Sequence, residues 1–433
     1  MVEATEIAKL RLFLKMVAVV EVDKRADNLG LDPLPDIDFN IRCGNTLVGY
    51  ATEEELNRDL TWGDMFANAE FREKVEEEMQ LVAMAYETFK HVQFNQEEDM
   101  IAFKRAKWDL KQRLNQLNEL LNRRMHANTG LSYDKWLSSH QPFHWLAEFY
   151  QIIKGNGGFD VIIGIPPYVS MSQINYISNT KDFSCSDLYA HVIRRVLYLI
   201  SSSGRHGFVV MHNLAFSRNF KDLRKILINY KGSQWYSFYS RIPSGLFSGD
   251  VRVRNCIYLL SPNGNNIKTS RLHRWFTEQR SSLFTSEISY VDFKYSICIP
   301  MLNSDILQGV YEGKKGFDLS MLICSDGKEL YYKKVGYNFL SVSNIKPLAF
   351  DGNSKEIEQT GLDYVKIKKE YYEVVLLLLC GKFYLSKWLT YGDDFHLTGT
   401  ELMSFKFPFD KLSVEDKDFL RQCYVEFIKR LPS

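Results

Sequence analysis

The spacing of apolar residues changes several times along the chain, and each spacing predicts a different kind of element. Between residues 3 and 17 the apolar residues fall on one stripe, which predicts an amphipathic helix. Between residues 68 and 125 the chain contains no Pro and no Gly, and apolar residues recur at helical spacing. This pattern predicts two helices packed as an antiparallel hairpin, with a bend near Asn95-Gln96. The two stripes are Phe71, Val75, Met79, Val82, Tyr86 and Phe89, then Leu110, Leu114, Leu117 and Leu121.

After residue 158 the pattern alternates between strands and helices. The run 159–163 is apolar and β-branched, interrupted only by Asp160, and this predicts a buried strand. Strands separated by helices favour parallel pairing with right-handed crossovers, and so an α/β fold. From about Asn265 the pattern changes to short, aromatic-rich strands with interleaved Lys and Arg. The other elements predicted before that point are strands at 207–211 and 255–260 and helices at 188–204 and 220–227.

Composition limits the class of protein. The 433 residues suffice for two or three domains, and 45% apolar with 25% charged residues is typical of a globular protein. No apolar run reaches the roughly 18 residues that a membrane-spanning helix needs. Charged residues interrupt the start of the chain at helical spacing, which excludes a signal peptide. Seven cysteines without a Cys-x-x-Cys pair predict a reduced, cytoplasmic protein without a zinc site. Because the net charge is only +1, any contact with nucleic acid requires a local basic patch.

The candidate chemistry lies directly after the run 159–163. Gly164 and the pair Pro166-Pro167 end the predicted strand, because proline cannot donate to a β-ladder. The turn places Tyr168 at the carboxyl end of a strand, where open α/β sheets bind ligands. Taken alone, a strand that ends in Pro-Pro-Tyr is equally compatible with a purely structural turn.

The stretch Phe159-Asp160-Val161-Ile162-Ile163-Gly164-Ile165-Pro166-Pro167-Tyr168 resembles the Asn-Pro-Pro-Tyr motif of adenine-N6 DNA methyltransferases, particularly the type IIG restriction–modification branch. In that family the asparagine side chain and the next proline carbonyl accept hydrogen bonds from the amino group of a flipped adenine. The tyrosine stacks on the base, and S-adenosylmethionine donates the methyl group. The resemblance therefore implies that Ile165, Pro166, Pro167 and Tyr168 form the catalytic turn, with Ile165 at the asparagine position.

Other short sequence motifs resemble those of the same family and occur in the same order. The stretch 39–49 resembles a strand whose end lies near the adenine of the cofactor, which implies a cofactor contact for Asn45; the alternative is that Gly44-Asn45 only makes a turn. The word Gly392-Asp393-Asp394-Phe395-His396-Leu397-Thr398 resembles the target-recognition half of these enzymes. His140 and His144 are spaced as metal ligands can be, but no carboxylate completes a metal site. The residues implied to contact DNA are Lys346, His396 and Thr398.

Two departures limit what the resemblance implies. Isoleucine has no acceptor for an adenine amine, so Ile165 predicts impaired catalysis. The glycine-rich cofactor loop of the family does not occur before the first helix or elsewhere. We therefore expect this chain alone to bind S-adenosylmethionine weakly or not at all, and a separate chain to supply the amino-terminal cofactor-binding half. The alternative is a non-catalytic DNA-binding subunit or a remnant of a split methyltransferase.

The predicted fold is an incomplete Rossmann-like methyltransferase sheet with a helical-hairpin insertion and a mixed α+β target-recognition domain that binds double-stranded DNA. The expected divisions are 1–66 for the amino-terminal part of the methyltransferase domain, 67–150 for the helical insertion, 151–264 for the catalytic half and 265–433 for target recognition.

Overall fold

A computed structural model describes residues 2–25, 29, 36–93, 100–127, 129–247, 252–285, 287–294, 298–312, 316–336 and 339–430. The chain forms two compact units. The first unit consists of Met1–Ile162, Val169–Lys181 and Cys185–His206. The second consists of Ile163–Tyr168, Asp182–Ser184 and Gly207–Ser433. The division into four parts expected from the sequence stays a prediction.

Helices dominate the first unit. The predicted hairpin helices are present, and they run antiparallel: the rings of Phe89 and Phe103 lie 5.7 Å apart near one end, and the Arg124 guanidinium lies 5.8 Å from the Phe71 ring near the other. The predicted bend at Asn95-Gln96 lies outside the described residues. The helices of this unit are α1 (Val2–Ala18), α2 (Glu53–Asp59), α3 (Met65–Gln93), α4 (Met100–His126), α5 (Tyr133–His140), α6 (Trp145–Glu148) and α7 (Leu188–Leu199).

The hairpin buries the apolar stripes that predicted it. All four leucines of the second stripe are buried in α4, and they pack in one cluster with Val75, Met79, Val82 and Phe89 of α3. Tyr86 is an exception, because it is 36% exposed and its neighbour Ala85 is buried in its place. Helix α1 contrasts with the hairpin. The helix is confirmed, but its stripe faces solvent, with exposed fractions between 48% and 58% for Ile7, Leu10, Leu14 and Val17.

The prediction of a strand within residues 39–49 is wrong. These residues form turns and a single isolated bridge from Asn45 to Pro142. The backbone N–H of Asn45 donates to the Gln141 carbonyl at 2.6 Å. The Phe143 N–H, which would continue the ladder, donates instead to the Val48 carbonyl at 2.7 Å.

One six-stranded sheet has the order β1-β2-β4-β3-β5-β6. Its pairing is mixed: β3 is antiparallel to β4 and parallel to β5, and β6 is antiparallel to β5. The expectation of uniformly parallel strands is wrong, because β3 and β4 run antiparallel and the described residues between them, 240–247 and 252–254, contain no helix. The strands are β1 (Phe159–Gly164), β2 (Ile200–Met211), β3 (Ser233–Tyr239), β4 (Asn255–Ser261), β5 (Ile267–His273) and β6 (Val291–Asp292).

Two elements differ in length or existence from their prediction. Helix α7 ends at Leu199 instead of residue 204, and β2 follows at once and is longer than the predicted strand. Strand β3 was not predicted, since its sequence mixes Ser and Gln with aromatic residues. The sheet also continues past residue 264 through β5 and β6.

Strand β1 is exposed, so the prediction of a buried strand is wrong. Val161 is 59% exposed and Ile163 is 76% exposed. Val161 and Ile163 are two residues apart and so point to the same face of the sheet, which is uncovered there; no further strand pairs with the outer edge of β1 among the described residues. Its apolar sequence therefore remains in contact with solvent.

The rest of the second unit contains short strands and helices around a separate core that includes Leu330, Tyr332, Val365, Leu376 and Trp388. The three-stranded sheet there has the order β12-β8-β9, and two-stranded sheets pair β10 with β11 and β13 with β7. The helices are α8 (Lys221–Ile228), α9 (Asp305–Tyr311), α10 (Tyr372–Cys380), α11 (Lys382–Tyr391), α12 (Gly399–Met403) and α13 (Val414–Arg430). The strands are β7 (Phe317–Asp318), β8 (Ile323–Lys333), β9 (Val342–Ser343), β10 (Ala349–Phe350), β11 (Glu356–Ile357), β12 (Leu362–Ile367) and β13 (Lys406–Phe407).

In the described ranges no single helix has the length and apolar composition to cross a bilayer. Helices α10 and α11 reach that length and composition only as a pair, across a bend of 61°. The apolar residues of α10 belong to the core of the second unit.

Candidate active site at the Pro-Pro-Tyr turn

The Pro-Pro-Tyr turn follows the end of β1, as the sequence predicts. Pro166 is buried, whereas Ile165 is 58% exposed and Pro167 is also exposed. The turn therefore presents the side chain of Ile165 to solvent. An isoleucine at this position offers no hydrogen-bond acceptor to a ligand that approaches the turn.

Tyr168 is anchored by its hydroxyl. The hydroxyl donates to the Val209 carbonyl on β2 at 3.0 Å, and it accepts a hydrogen bond from the Asn255 side-chain amide at 3.1 Å. Burial raises the pKa of Tyr168 to about 12, so the phenol stays neutral over the physiological range. The ring is half-buried. Because its hydroxyl is held by two hydrogen bonds, the ring of Tyr168 is fixed in orientation. Its exposed part can offer a stacking surface.

Asn255 is the residue of this site that the sequence did not reveal. It begins β4, is fully buried, and its amide also lies 3.4 Å from the Val210 carbonyl. In the described part of the chain, its Oδ1 is buried and accepts no hydrogen bond. A buried amide with an unused acceptor lowers stability, which the hydrogen bond from the Asn255 amide to Tyr168 offsets in part. The only signal in the sequence is a polar pair, Arg254-Asn255, directly before an apolar strand.

The Gly-Asp-Asp-Phe-His-Leu-Thr word forms an ion-pair cluster centred on Asp394. Asp394 is 3% exposed and pairs with Arg254 at 3.5 Å and with Arg274 at closer range. The Ser240 hydroxyl also donates to its carboxylate at 2.9 Å. Desolvation lowers the pKa of Arg254 from its usual value, against the opposing effect of Asp394. Removing one partner of a buried pair typically costs about 3–5 kcal/mol, so this cluster fixes the loop.

The residues implied to contact DNA are placed differently from one another. His396 is exposed, and its Nδ1 lies 2.5 Å from the Asp393 carboxylate. Thr398 caps α12: its hydroxyl donates to Glu401 at 2.8 Å and accepts from the Glu401 N–H at 3.2 Å. Lys346 is exposed and lies beyond β9. The hydroxyl of Thr398 is thus occupied by the helix, while His396 and Lys346 remain accessible.

The two spaced histidines do not share a ligand site. Burial lowers the pKa of His144 to about 3, and its ring accepts a hydrogen bond from the Tyr50 N–H at 3.0 Å. His140 instead stacks on Trp136, with the ring centroids 5.6 Å apart. Among the described residues no group of three or more His, Cys, Asp or Glu side chains is placed to hold a metal ion.

The polar groups in and near the Asn45 turn are engaged in hydrogen bonds and ion pairs with one another, and a cofactor contact for Asn45 stays a prediction. The Asn45 Oδ1 accepts from the Leu47 N–H at 3.2 Å, which closes a local turn. Nearby, a hydrogen bond from Lys107 lowers the pKa of Asp38, and Lys9 also pairs with that carboxylate at 3.2 Å. These polar groups satisfy one another. No glycine-rich loop joins a strand to a helix in the ranges that the structure describes.

Comparison with known proteins adds independent information. The family model described as Eco57I restriction-modification methylase matches residues 1–242. A protein of Methanocaldococcus jannaschii, named for a type II restriction enzyme and methyltransferase, is 27% identical over 305 residues, which cover 59% of this chain and 25% of that protein. The chain therefore spans about a quarter of the length of this relative.

Solved structures give weaker likenesses. The match to a complex of DrdV with DNA covers 35% of this chain and 19% of the DrdV chain, at 14% sequence identity and a TM-score of 0.27. The match to the Type ISP restriction-modification enzyme LlaBIII bound to DNA covers 51% of this chain and 18% of the LlaBIII chain, at 12% sequence identity and a TM-score of 0.29. TM-scores this low add nothing to the assignment. The family match covers more than half of the chain and includes the Pro-Pro-Tyr turn, so the protein belongs to the Eco57I restriction-modification methylase family.

Proposed function

We propose that this chain is the base-binding part of an adenine-N6 DNA methyltransferase of a restriction–modification system. The methyl donor is S-adenosylmethionine, and the substrate is an adenine flipped out of double-stranded DNA. The chain requires a separate cofactor-binding half to transfer methyl groups. The division into an amino-terminal methyltransferase part, a helical insertion, a catalytic half and a target-recognition domain belongs to the same proposal.

The observation that carries the proposal is the anchoring of Tyr168. A stacking residue must hold its ring in one orientation before the base arrives, because ordering it later reduces the binding energy. The hydrogen bond that the Tyr168 hydroxyl donates to the Val209 carbonyl and the one it accepts from the Asn255 amide supply that order. The Pro166 carbonyl is the remaining backbone acceptor for the adenine amine at this turn.

Ile165 limits what the turn can do chemically. The amine of the flipped adenine needs two acceptors, and the side chain at this position supplies none. The loss of one preorganised group of this kind typically costs about 10²–10³ in rate. We therefore expect the natural chain to be impaired even when the cofactor-binding half is present.

The exposed edge of β1 supports the partner part of the proposal. Val161, Ile163 and Ile165 are all more than half exposed, on alternate positions of an edge strand and the turn that follows it. An apolar, unpaired strand edge is a template for further strands. A cofactor-binding half that paired a strand with this edge and packed a helix on this face would cover these side chains.

A second candidate function is a non-catalytic DNA-binding subunit. Ile165 favours it, because a chain that never binds an adenine amine has no use for an acceptor there. The two functions differ in one measurable respect. A methyltransferase part regains activity when its acceptor and its partner half are restored, whereas a non-catalytic subunit does not.

The experiment measures tritiated methyl incorporation into duplex DNA by the full chain, supplied with the cofactor-binding half of a family member. The variant Ile165→Asn should raise the rate by about 10²–10³ over the natural chain, since Pro166, Pro167 and Tyr168 already provide the rest of the turn.

The matched control is Ile101→Asn, the same exchange at an exposed position of helix α4. It should leave the rate unchanged. Equal and robust activity of the natural chain and the Ile165→Asn variant would contradict the placement of residue 165 at the amine. Absence of activity in every variant, with a proven complex, would favour the non-catalytic subunit.

A further inference from the structure

The outer face of the three-stranded sheet β12-β8-β9 exposes a pair of tyrosines. On β8 and β12 alternate residues face the core, where Leu330, Tyr332 and Val365 are buried. The intervening residues Tyr331 and Tyr364 lie opposite each other in the register, on the other face of the sheet. Their ring centroids are 5.9 Å apart, and Tyr364 is 51% exposed.

Lysines surround the two rings. By the same register, Lys333 and Lys366 share the outer face with them. Lys328 and Lys346 line an open pocket of about 460 Å³ together with Tyr331. We call these six residues the tyrosine–lysine face: Lys328, Tyr331, Lys333, Lys346, Tyr364 and Lys366.

The charge on the tyrosine–lysine face is mostly uncompensated. Glu329 pairs with Lys366 at 3.7 Å and also accepts the hydroxyl of Tyr331. No ion pair is found for Lys328, Lys333 or Lys346 with any carboxylate of the described residues. The whole chain has a net charge of only +1, so this local excess of positive charge stands out against a nearly neutral protein.

We propose that the tyrosine–lysine face binds a DNA strand with unpaired bases. Exposed aromatic rings on a sheet stack on the flat faces of bases, which are accessible only when the bases are unpaired. The flanking ammonium groups meet the phosphates of the same strand. A duplex offers phosphates to the lysines but hides the base faces from both tyrosines.

This inference goes beyond the proposed function, because it uses neither the Pro-Pro-Tyr turn nor the cofactor. A site for unpaired DNA gives the protein a second contact with its polymer, which is separate from the adenine to be methylated. The protein can therefore bind single-stranded DNA at this face without transferring methyl groups, and it can transfer methyl groups without binding single-stranded DNA there.

The test is fluorescence anisotropy of the full chain with a fluorescein-labelled oligothymidine of about 12 nucleotides, compared with a labelled duplex of equal length. The double variant Tyr331→Leu with Tyr364→Leu should weaken binding of the single strand by roughly tenfold or more. The double variant to Phe keeps both rings and should bind within about twofold of the natural chain. Binding of the duplex should be insensitive to both double variants, because its base faces are hidden from the rings.

The lysines are tested through salt dependence. Changing Lys328, Lys333 and Lys346 to Gln should reduce the slope of log K against log salt concentration by about 2 for the single strand. The control changes exposed Lys411, Lys417 and Lys429 to Gln at the carboxyl end of the chain, and it should leave the slope unchanged. Circular dichroism confirms that each variant is folded. If the Leu variant does not fold, the Gln variants decide the question.

Two results would overturn the proposal. One is binding of the single strand that is unchanged when both rings are lost. The other is an equal change of slope in the three face lysines and the three control lysines.

Discussion

The helical hairpin and strand β1 are both built from apolar residues at regular spacing, but only the hairpin buries them. Leu110, Leu117 and Leu121 of α4 have no exposed surface, whereas Ile163 of β1 is 76% exposed. The hairpin contains its own partner, because α3 supplies the opposing stripe. Strand β1 has no such partner on its outer edge among the described residues. An apolar pattern thus predicts which side chains favour burial, but not whether the covering element belongs to the same chain.

The largest effect should separate the two regions directly. Leu117→Ala should lower the free energy of unfolding by about 2–5 kcal/mol, because it removes buried methyl groups and leaves a cavity. The matched change Ile163→Ala removes a similar volume from an exposed side chain and should cost less than about 1 kcal/mol.

Urea unfolding followed by circular dichroism measures both variants. Equal losses of stability would show that β1 is covered in solution. A concentration-dependent loss for Ile163→Ala alone would show that copies of the chain cover it for one another.

A smaller effect comes from the buried histidine beside the hairpin. The His144 ring contacts the side-chain oxygen of Asn122 on α4 at 3.0 Å, and burial lowers its pKa to about 3 from a usual value of 6.5. In the unfolded chain this histidine binds a proton as the pH falls below 6.5, while in the folded protein it stays neutral. Its contribution is therefore complete above pH 6.5 and is lost as the pH falls towards 3, with a limiting slope of about 1.4 kcal/mol per pH unit.

The variant His144→Gln keeps a donor and an acceptor but does not titrate. Unfolding measured between pH 7.5 and 4 should show a pH slope smaller by about 1.4 kcal/mol per unit than that of the natural chain. An unchanged slope would contradict a neutral, buried His144.

The sequence predicted the elements whose signals are local. The hairpin helices, α1 and α8 follow from helical spacing, and the turn after β1 follows from its prolines. Strand β3 was missed because Ser233 and Gln234 do not look apolar, although both are buried. The prediction that β4 pairs in parallel was wrong, because β4 pairs antiparallel with β3, a strand that the sequence did not predict.

The candidate site was predictable only in part. The position of Tyr168 at a strand end follows from the Pro-Pro-Tyr word, but its anchoring by Asn255 joins residues 87 positions apart. The Asp394 cluster likewise joins Ser240, Arg254 and Arg274 to a distant loop. Contacts of this kind depend on the tertiary fold and leave no periodic signal in the chain. The roles of Asn45, Lys346, His396 and Thr398 stay predictions.

The central proposal is that this chain carries the base-binding turn and that its own residues do not suffice to bind the cofactor. Isothermal titration of S-adenosylmethionine into the purified chain, alone and mixed with a cofactor-binding half, tests it most directly. The account predicts no measurable binding by the chain alone and binding at micromolar concentration or tighter by the mixture. Micromolar or tighter binding by the chain alone would contradict it.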